Sequence, residues 1–163
     1  MPTDHPDPEG PSPALGQALE ADHARLDEIW DEGMRLWGTD PARATALFRE
    51  FTSGLLRHIQ VEEGMVFPFY EEHAGSREHH LLELLREEHV QIRDALERFM
   101  GHVEAGDKEL EEPSTVLRNV LWAHNTREEG QLYPWFGPEV SEGEAAELRR
   151  TISTMLSSSD GPG

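Results

Sequence analysis

The sequence predicts an all-α fold: an up-down-up-down four-helix bundle with an additional C-terminal helix. Apolar residues recur at helical spacing in five segments of the 163-residue chain. Strand signals are absent, and the loops between the segments are short. Short loops between long amphipathic helices make neighbouring helices antiparallel, which is the arrangement of such a bundle.

The first two predicted helices form a hairpin. The first runs over about residues 15–37, with apolar residues three and four positions apart. Asp40 then caps a second helix that has Pro41 at its first position, where a missing N–H costs nothing. This helix is expected to cover about residues 41–72, and Pro68 is expected to kink it or end it early.

Three further helices follow. The third covers about residues 77–104 and lies between Gly75 and Gly106. The fourth opens near Pro113 and runs to about residue 132. A fifth is expected to begin at Ser141, because Ser-Glu-Gly-Glu has the form of a capping box.

The two ends of the chain differ in composition from the middle. Residues 1–13 hold five prolines and almost nothing apolar, so we expect a disordered N-terminal arm. A short polar tail at residues 158–163 is expected to be disordered as well. Residues 14–157 between them form the predicted domain, and their number suffices for one buried core.

Charge and composition exclude several kinds of protein. Asp and Glu number 33 against 14 Lys and Arg, so the net charge of −19 argues against nucleic acid or an anionic membrane as partner. The chain has no cysteine, which removes disulfides, iron–sulfur clusters and thiolate zinc sites. There is no signal peptide and no apolar run of about 20 residues. We therefore expect a soluble, cytoplasmic protein; the sequence identifies no protein partner.

An internal repeat is the most informative feature. Residues 58–69 read HIQVEEGMVFPF and residues 124–135 read HNTREEGQLYPW, an offset of 66 residues. The same offset relates His23 to His89. Repeated segments of this kind indicate a duplicated structural unit. The first and second helices therefore form one hairpin, the third and fourth form its duplicate, and a pseudo-twofold axis relates the two.

The spacing brings the repeated histidines to one level of the bundle. His23 lies roughly 21 Å from the loop after the first helix, and His58 lies roughly 26 Å from the same loop, at 1.5 Å per residue. In each half the second histidine and a glutamate are four residues apart, which places them on one helix face. The candidate metal ligands are His23, His58, Glu62, His89, His124 and Glu128.

Six nitrogen and oxygen donors favour a pair of metal ions over one tetrahedral zinc. If both glutamates bridge, each ion receives two histidine nitrogens and two carboxylate oxygens. Positions then stay open for water, oxide, O₂, peroxide or NO. Iron suits such a site best, with manganese second. Asp22, Asp27 and Glu88 are candidates to accept the other N–H of a ligating histidine.

These motifs together resemble the hemerythrin-like family, also called the HHE cation-binding domain. The resemblance rests on an isolated His followed by His-x-x-x-Glu, found twice, and on the Glu-Glu-Gly-x-x-aromatic-Pro extension. It covers residues 14–136 and implies a non-haem di-iron site, bridged by oxo or hydroxo, inside a four-helix bundle. By position, the implied ligands are the six residues named above.

The five-histidine site of oxygen-carrying hemerythrins is not reproduced. Leu85 and Arg93 stand four residues either side of His89, and Glu129 stands five residues after His124. The sequence is similar instead to the subgroup with four histidines and two glutamates. Members of that subgroup are linked to iron or oxygen sensing, peroxide breakdown and nitrosative stress.

The leading functional hypothesis is a di-iron protein that binds, senses or reacts with O₂, peroxide or NO. One alternative is a peroxide-consuming (catalase-like) or ferroxidase-like enzyme, for which the sequence identifies no catalytic residue. Another is a metal-free helical interaction module. A ferritin-like carboxylate bundle needs two Glu-x-x-His motifs, and only Glu20 with His23 fits.

Overall fold

The structure, a computed structural model, describes residues 14–75 and 79–157. The predicted arm at residues 1–13 and the predicted tail at residues 158–163 lie outside the described residues. The described part is helical and contains no strand, which confirms the all-α class. None of its helices combines the length and the apolar character that crossing a bilayer requires.

Helical segments follow one another with short connections. In chain order they are α1 (Leu15–Leu36), α2 (Pro41–Val61), the π-helical turn π1 (Glu62–Val66), α3 (Phe67–His73), α4 (His79–Glu104), α5 (Glu111–Arg127), the π-helical turn π2 (Glu128–Leu132), a 3₁₀ turn (Tyr133–Phe136), α6 (Pro138–Glu142) and α7 (Ala146–Ser157).

Two hairpins make the bundle, as the repeat predicts. Helices α1 and α2 pack together as the first hairpin, and α4 and α5 pack as the second. The hairpins meet through α2 and α4, while α1 packs against the 3₁₀ turn that extends α5. Helix α7 packs on α1 and α2 and is the predicted additional C-terminal helix.

The predicted helix boundaries are largely confirmed. The side chain of Asp40 accepts a hydrogen bond of 3.2 Å from the backbone N–H of Arg43 and so caps α2. Gly75 and Gly106 adopt φ values of +84° and +70°, a left-handed conformation that glycine adopts without a steric penalty.

The second predicted helix is interrupted before Pro68, since α2 ends at Val61 and a new helix, α3, begins at Phe67. The chain widens into π1, where the backbone N–H of Phe67 bonds to the carbonyl of Glu62. Pro68 then lies in the first turn of α3, where its missing N–H is not needed. The repeat does the same in π2, followed by Pro134 in the 3₁₀ turn. The Glu-Glu-Gly-x-x-aromatic-Pro motif is therefore the sequence of a π turn, a feature often found at functional sites.

The predicted capping box at Ser141 is wrong. Ser141 lies within the short helix α6, and α7 begins later, at Ala146. The buried Ser141 hydroxyl donates to the carbonyl of Phe136 at 3.1 Å and accepts the N–H of Leu15 at 2.9 Å. It caps the first helix of the bundle, because the chain folds α6 back over the start of α1.

Two apolar clusters lie above and below the level of the repeated histidines. One is built around Trp30, whose ring centroid lies 4.7 Å from that of Phe99. The other contains Phe67, Tyr133 and Phe136. Trp122 of α5 lies outside both clusters and is 70% exposed. The histidine level is thus enclosed by packed hydrocarbon on both sides.

Candidate metal centre

The structure brings all six predicted ligands together in one buried layer. The side chains come from α1, α2, π1, α4, α5 and π2, and none of the six residues is more than 4% exposed. Two groups of donor atoms each lie within 4.8 Å of one another. The groups are Glu62, His89, His124 and Glu128, and His23, His58 and Glu128.

Each glutamate reaches histidines of both hairpins. Glu62 Oε1 lies 3.2 Å from His58 Nε2 and 3.5 Å from His89 Nε2. Glu128 Oε1 lies 2.6 Å from His124 Nε2 and 3.7 Å from His23 Nε2. This is the placement that two bridging carboxylates require.

The layer holds buried oxygen atoms with no hydrogen-bond partner. Although imidazole nitrogens lie close by, Glu62 Oε1 and both carboxylate oxygens of Glu128 accept no well-formed hydrogen bond. Unpartnered buried carboxylate oxygens are costly, and a bound cation is a normal way to compensate them. Imidazole nitrogens and carboxylate oxygens also form a donor set that iron and manganese accept. The residues present therefore fit a metal site.

The two glutamates share one buried space and differ in proton affinity. Burial raises the pKa of both. For Glu62 the charge of His58 and the hydrogen bonds with Glu128, His58 and His89 together outweigh burial, so its pKa lies well below the ordinary value. For Glu128 the neighbouring Glu62 carboxylate adds to burial, so its pKa lies well above. Without metal, the pair therefore tends to keep one negative charge, as two adjacent carboxylates do.

The histidines of the layer also differ in proton affinity. Burial lowers the pKa of His23 and of His124 to about 3. Burial also acts on His58, but Glu62 and Asp22 outweigh it and raise its pKa to about 9. Metal binding must therefore displace a proton from His58, since a ligating imidazole nitrogen is unprotonated.

Carboxylates orient three of the four histidines. His58 Nδ1 donates to Asp22 at 2.8 Å, His89 Nδ1 donates to Glu63 at 2.9 Å, and His23 Nδ1 donates to Glu129 at 3.1 Å. Each bond directs the Nε2 atom towards the centre of the layer. A carboxylate that accepts the other ring N–H is a usual partner of a metal-binding histidine. His124 is the exception, because its Nδ1 lies 3.5 Å from Glu88 and forms no hydrogen bond.

These partners follow the same 66-residue offset as the ligands. Asp22 corresponds to Glu88, and Glu63 corresponds to Glu129. Asp22 accepts a histidine N–H as predicted, whereas Glu88 lies 3.5 Å from His124 Nδ1 and accepts no hydrogen bond from it. Asp27 was not correct, since its exposed side chain lines an outer cavity.

Sequence reasoning did not assign the roles of Glu63 and Glu129. The signal was present in the repeated Glu-Glu doublet, of which only the first glutamate was given a function. Arg93 fixes Glu63 with two hydrogen bonds of 2.9 and 3.2 Å. The arginine lowers the pKa of Glu63, against burial that raises it. Glu129 has acidic neighbours instead, and burial together with Glu20 raises its pKa.

A tyrosine hydroxyl also enters the layer and was not predicted as a site group. Tyr133 Oη donates to Glu62 Oε2 at 3.0 Å and lies 3.1 Å from the Nε2 atoms of His23 and His58. Burial and the nearby glutamates raise the pKa of Tyr133 well above its ordinary value. Its repeat counterpart Phe67 stacks on His89, with ring centroids 5.4 Å apart.

A cavity of about 510 Å³ opens beside the layer on the side of α1 and α5. Asp27, Trp30, Trp122 and Asn125 line it, and Glu129 connects it with His23. The ligand layer itself is closed, so a molecule that reaches it must be small.

Three histidines outside the repeat lie away from the layer, as expected. The fully exposed His80 side chain is 3.7 Å from Glu83. His73 and His102 lie in the last turns of their helices, where His73 bonds to a backbone carbonyl and His102 to Asp107.

Comparison with known families agrees with this geometry. The model of the hemerythrin HHE cation-binding domain matches residues 15–136, three quarters of the chain. The chain belongs to this family. A hemerythrin HHE domain binds metal ions through a cluster of histidines and glutamates, and the buried layer of this chain has that composition. Neither curated proteins nor solved structures give a significant match to the chain.

Proposed function

We propose that the protein is a non-haem di-iron protein that binds, senses or reacts with O₂, peroxide or NO. The observation that carries the proposal is the reach of each glutamate to histidines of both hairpins. Two ions placed between the hairpins would share both carboxylates. His23, His58, His89 and His124 would supply the remaining protein donors, with Glu62 and Glu128 as bridges.

The surroundings of the layer support a small ligand. The ligands are nearly inaccessible, and packed hydrocarbon lies on both sides. Iron held by the four histidines and two carboxylates would supply redox chemistry with small oxygen or nitrogen compounds. The protein's own groups orient the imidazoles through Asp22, Glu63 and Glu129 and exclude bulk water.

Iron loading tests the proposal. Protein freed of metal with a chelator is loaded anaerobically with ferrous iron, desalted, analysed for metal and then oxidised in air. We expect about two iron ions per chain, and visible absorption of oxo-bridged ferric iron that shifts with azide. His58→Ala should lose much of the iron, whereas His80→Ala should keep it. Fewer than one transition-metal ion per wild-type chain would overturn the proposal.

The reaction with peroxide separates an enzyme from a sensor. A peroxide-consuming form of the same proposal predicts steady O₂ evolution from hydrogen peroxide by the iron-loaded protein, lost in His58→Ala. Turnover that is unchanged in that variant would reject the enzymatic form. The cytoplasmic location and the domain limits at residues 14–157 stay predictions of the sequence.

A further inference from the structure

The two halves of the metal layer differ at one repeat position. Phe67 and Tyr133 are 66 residues apart and occupy equivalent places, each beside a histidine of the other hairpin. The Phe67 ring is stacked on His89, and the Tyr133 ring lies 5.4 Å from His23. Only the Tyr133 ring carries an oxygen atom, so the two halves of the layer differ in chemistry at this position.

The hydroxyl of Tyr133 faces the Nε2 atoms of the histidines, which point into the layer, and not the Nδ1 atoms, which bond to the orienting carboxylates. Its distances are 3.1 Å to His23 Nε2, 3.1 Å to His58 Nε2 and 3.0 Å to Glu62 Oε2. The Nδ1 atoms of both histidines are already occupied by Glu129 and Asp22. The hydroxyl is therefore in contact with both histidine nitrogens of one of the two donor groups, and with an oxygen of Glu62, which the proposed function makes a bridge.

These distances are those between neighbouring ligands of one ion. Metal–nitrogen and metal–oxygen bonds are about 2.1 Å long, so ligands at right angles are separated by about 3.0 Å. In the other half, the Nε2 atoms of His89 and His124 are 3.1 Å apart. The residue equivalent to Tyr133 there is Phe67, whose ring supplies no donor.

Close packing holds Tyr133 in this position. A side-chain carbon at Gly16 of α1 would lie only 2.3 Å from the backbone oxygen of Tyr133, so the glycine permits a direct approach of the two backbones. The tyrosine itself is 3% exposed. Its hydroxyl is thus presented to the layer by a segment that has little freedom to move.

From these contacts we infer that Tyr133 Oη releases its proton to solvent when the site is loaded and serves as a seventh protein donor, to the ion held by His23 and His58. The inference rests on the proposed di-iron function. The ion held by His89 and His124 lacks this oxygen and keeps the position at which a small external ligand binds. The two ions are therefore inequivalent even though their histidines and glutamates are duplicated.

Spectroscopy of the iron-loaded protein tests the inference. The chain has two tyrosines, Tyr70 and Tyr133, which makes the assignment direct. Wild type, Tyr133→Phe and Tyr70→Phe are loaded anaerobically with ferrous iron and oxidised in air. Visible absorption and resonance Raman spectra are recorded beside the iron content. A phenolate bound to ferric iron gives a visible charge-transfer band with enhanced ring vibrations.

We expect this signature in wild type and in Tyr70→Phe, and its complete loss in Tyr133→Phe. The phenylalanine in Tyr133→Phe is the residue that the other half has at the equivalent position, Phe67. Tyr133→Phe should retain about two iron ions through the other six donors. Wild-type protein produced with ring-deuterated tyrosine should show shifted phenolate ring vibrations. This measurement does not depend on the folding of any variant.

Three results would overturn the inference. One is a wild type with two iron ions and no phenolate vibrations, which leaves the di-iron function standing. A second is persistence of the band in iron-loaded Tyr133→Phe. The third is a wild type that takes up no iron, which removes the proposed function and the inference together.

Discussion

Replacing Asp22 by asparagine tests how much the orienting carboxylates contribute to metal binding. Asp22 is 6% exposed and accepts the Nδ1–H of His58 at 2.8 Å and the Nε–H of Arg25 at 2.9 Å. Asparagine keeps the size of the side chain and removes its charge. His58 then loses the carboxylate charge that makes its ring more basic and keeps at most a neutral amide oxygen as the acceptor for its Nδ1–H.

Asp22→Asn should lower the affinity for iron strongly, and the substitution at the equivalent position of the other hairpin should lower it little. Removing the carboxylate partner of a ligating histidine lowers metal affinity by about 10- to 100-fold, or about 1.4 to 2.7 kcal/mol. The matched control is Glu88→Gln, at the equivalent repeat position. Glu88 lies 3.5 Å from His124 Nδ1 without a hydrogen bond and pairs with Arg127 instead. Its substitution should cost less than about tenfold.

Anaerobic titration of ferrous iron against a chromophoric chelator of known affinity measures both variants beside wild type. Far-ultraviolet circular dichroism establishes that each variant keeps its helix content. The reasoning is refuted if Asp22→Asn binds iron as tightly as wild type. Losses of equal size in Asp22→Asn and Glu88→Gln would refute it as well, because the hydrogen bond is present in one half only.

Three further predictions concern the fold. The pKa of His23 and of His124 is lowered to about 3, so in the metal-free protein both stay neutral while the unfolded chain binds protons below about pH 6.5. As the pH falls from 7 to 5, each of these two histidines therefore lowers the free energy of unfolding by about 2 kcal/mol. The raised pKa of His58 has the opposite effect and offsets about 1 kcal/mol of this loss. The raised pKa of Glu128 opposes this loss as well, so the histidine contribution is isolated with His23→Asn, whose melting temperature in the metal-free state should fall less than that of wild type between pH 7 and pH 5; an equal fall would contradict this. Gly64→Ala should raise the free energy of unfolding by about 0.4 to 1 kcal/mol in urea denaturation, since the site has open space and a negative φ. Gly16→Ala should lower it by about 1 to 3 kcal/mol, because the new carbon would overlap a backbone oxygen; unchanged stability would show that the helices separate freely.

The sequence determined the class of fold and the six residues that form the buried layer of histidines and glutamates. Helical periodicity fixes which face of each helix is apolar, and the 66-residue repeat fixes that two hairpins are alike. The rise per residue then sets each histidine at one level of the bundle. These are local quantities, so the ligand layer could be predicted before any packing was known.

Tertiary structure decided the surroundings of those ligands. The π turns could not be read from helical periodicity, because they insert a register shift at the motif that carries Glu62 and Glu128. Glu63 and Glu129 each bond to a histidine of the opposite hairpin, a contact that depends on how the hairpins dock. Ser141 caps a helix that lies 126 residues away in the chain.

The difference between the two halves was also decided in three dimensions. The sequence shows that Tyr133 replaces the equivalent Phe67, but an aromatic residue at a helical position is equally consistent with core packing. Only the docking of π2 and the 3₁₀ turn on α1 brings the hydroxyl to the Nε2 atoms of His23 and His58. Spacing along one helix sets the height of a side chain, whereas the packing between helices sets which atoms it meets.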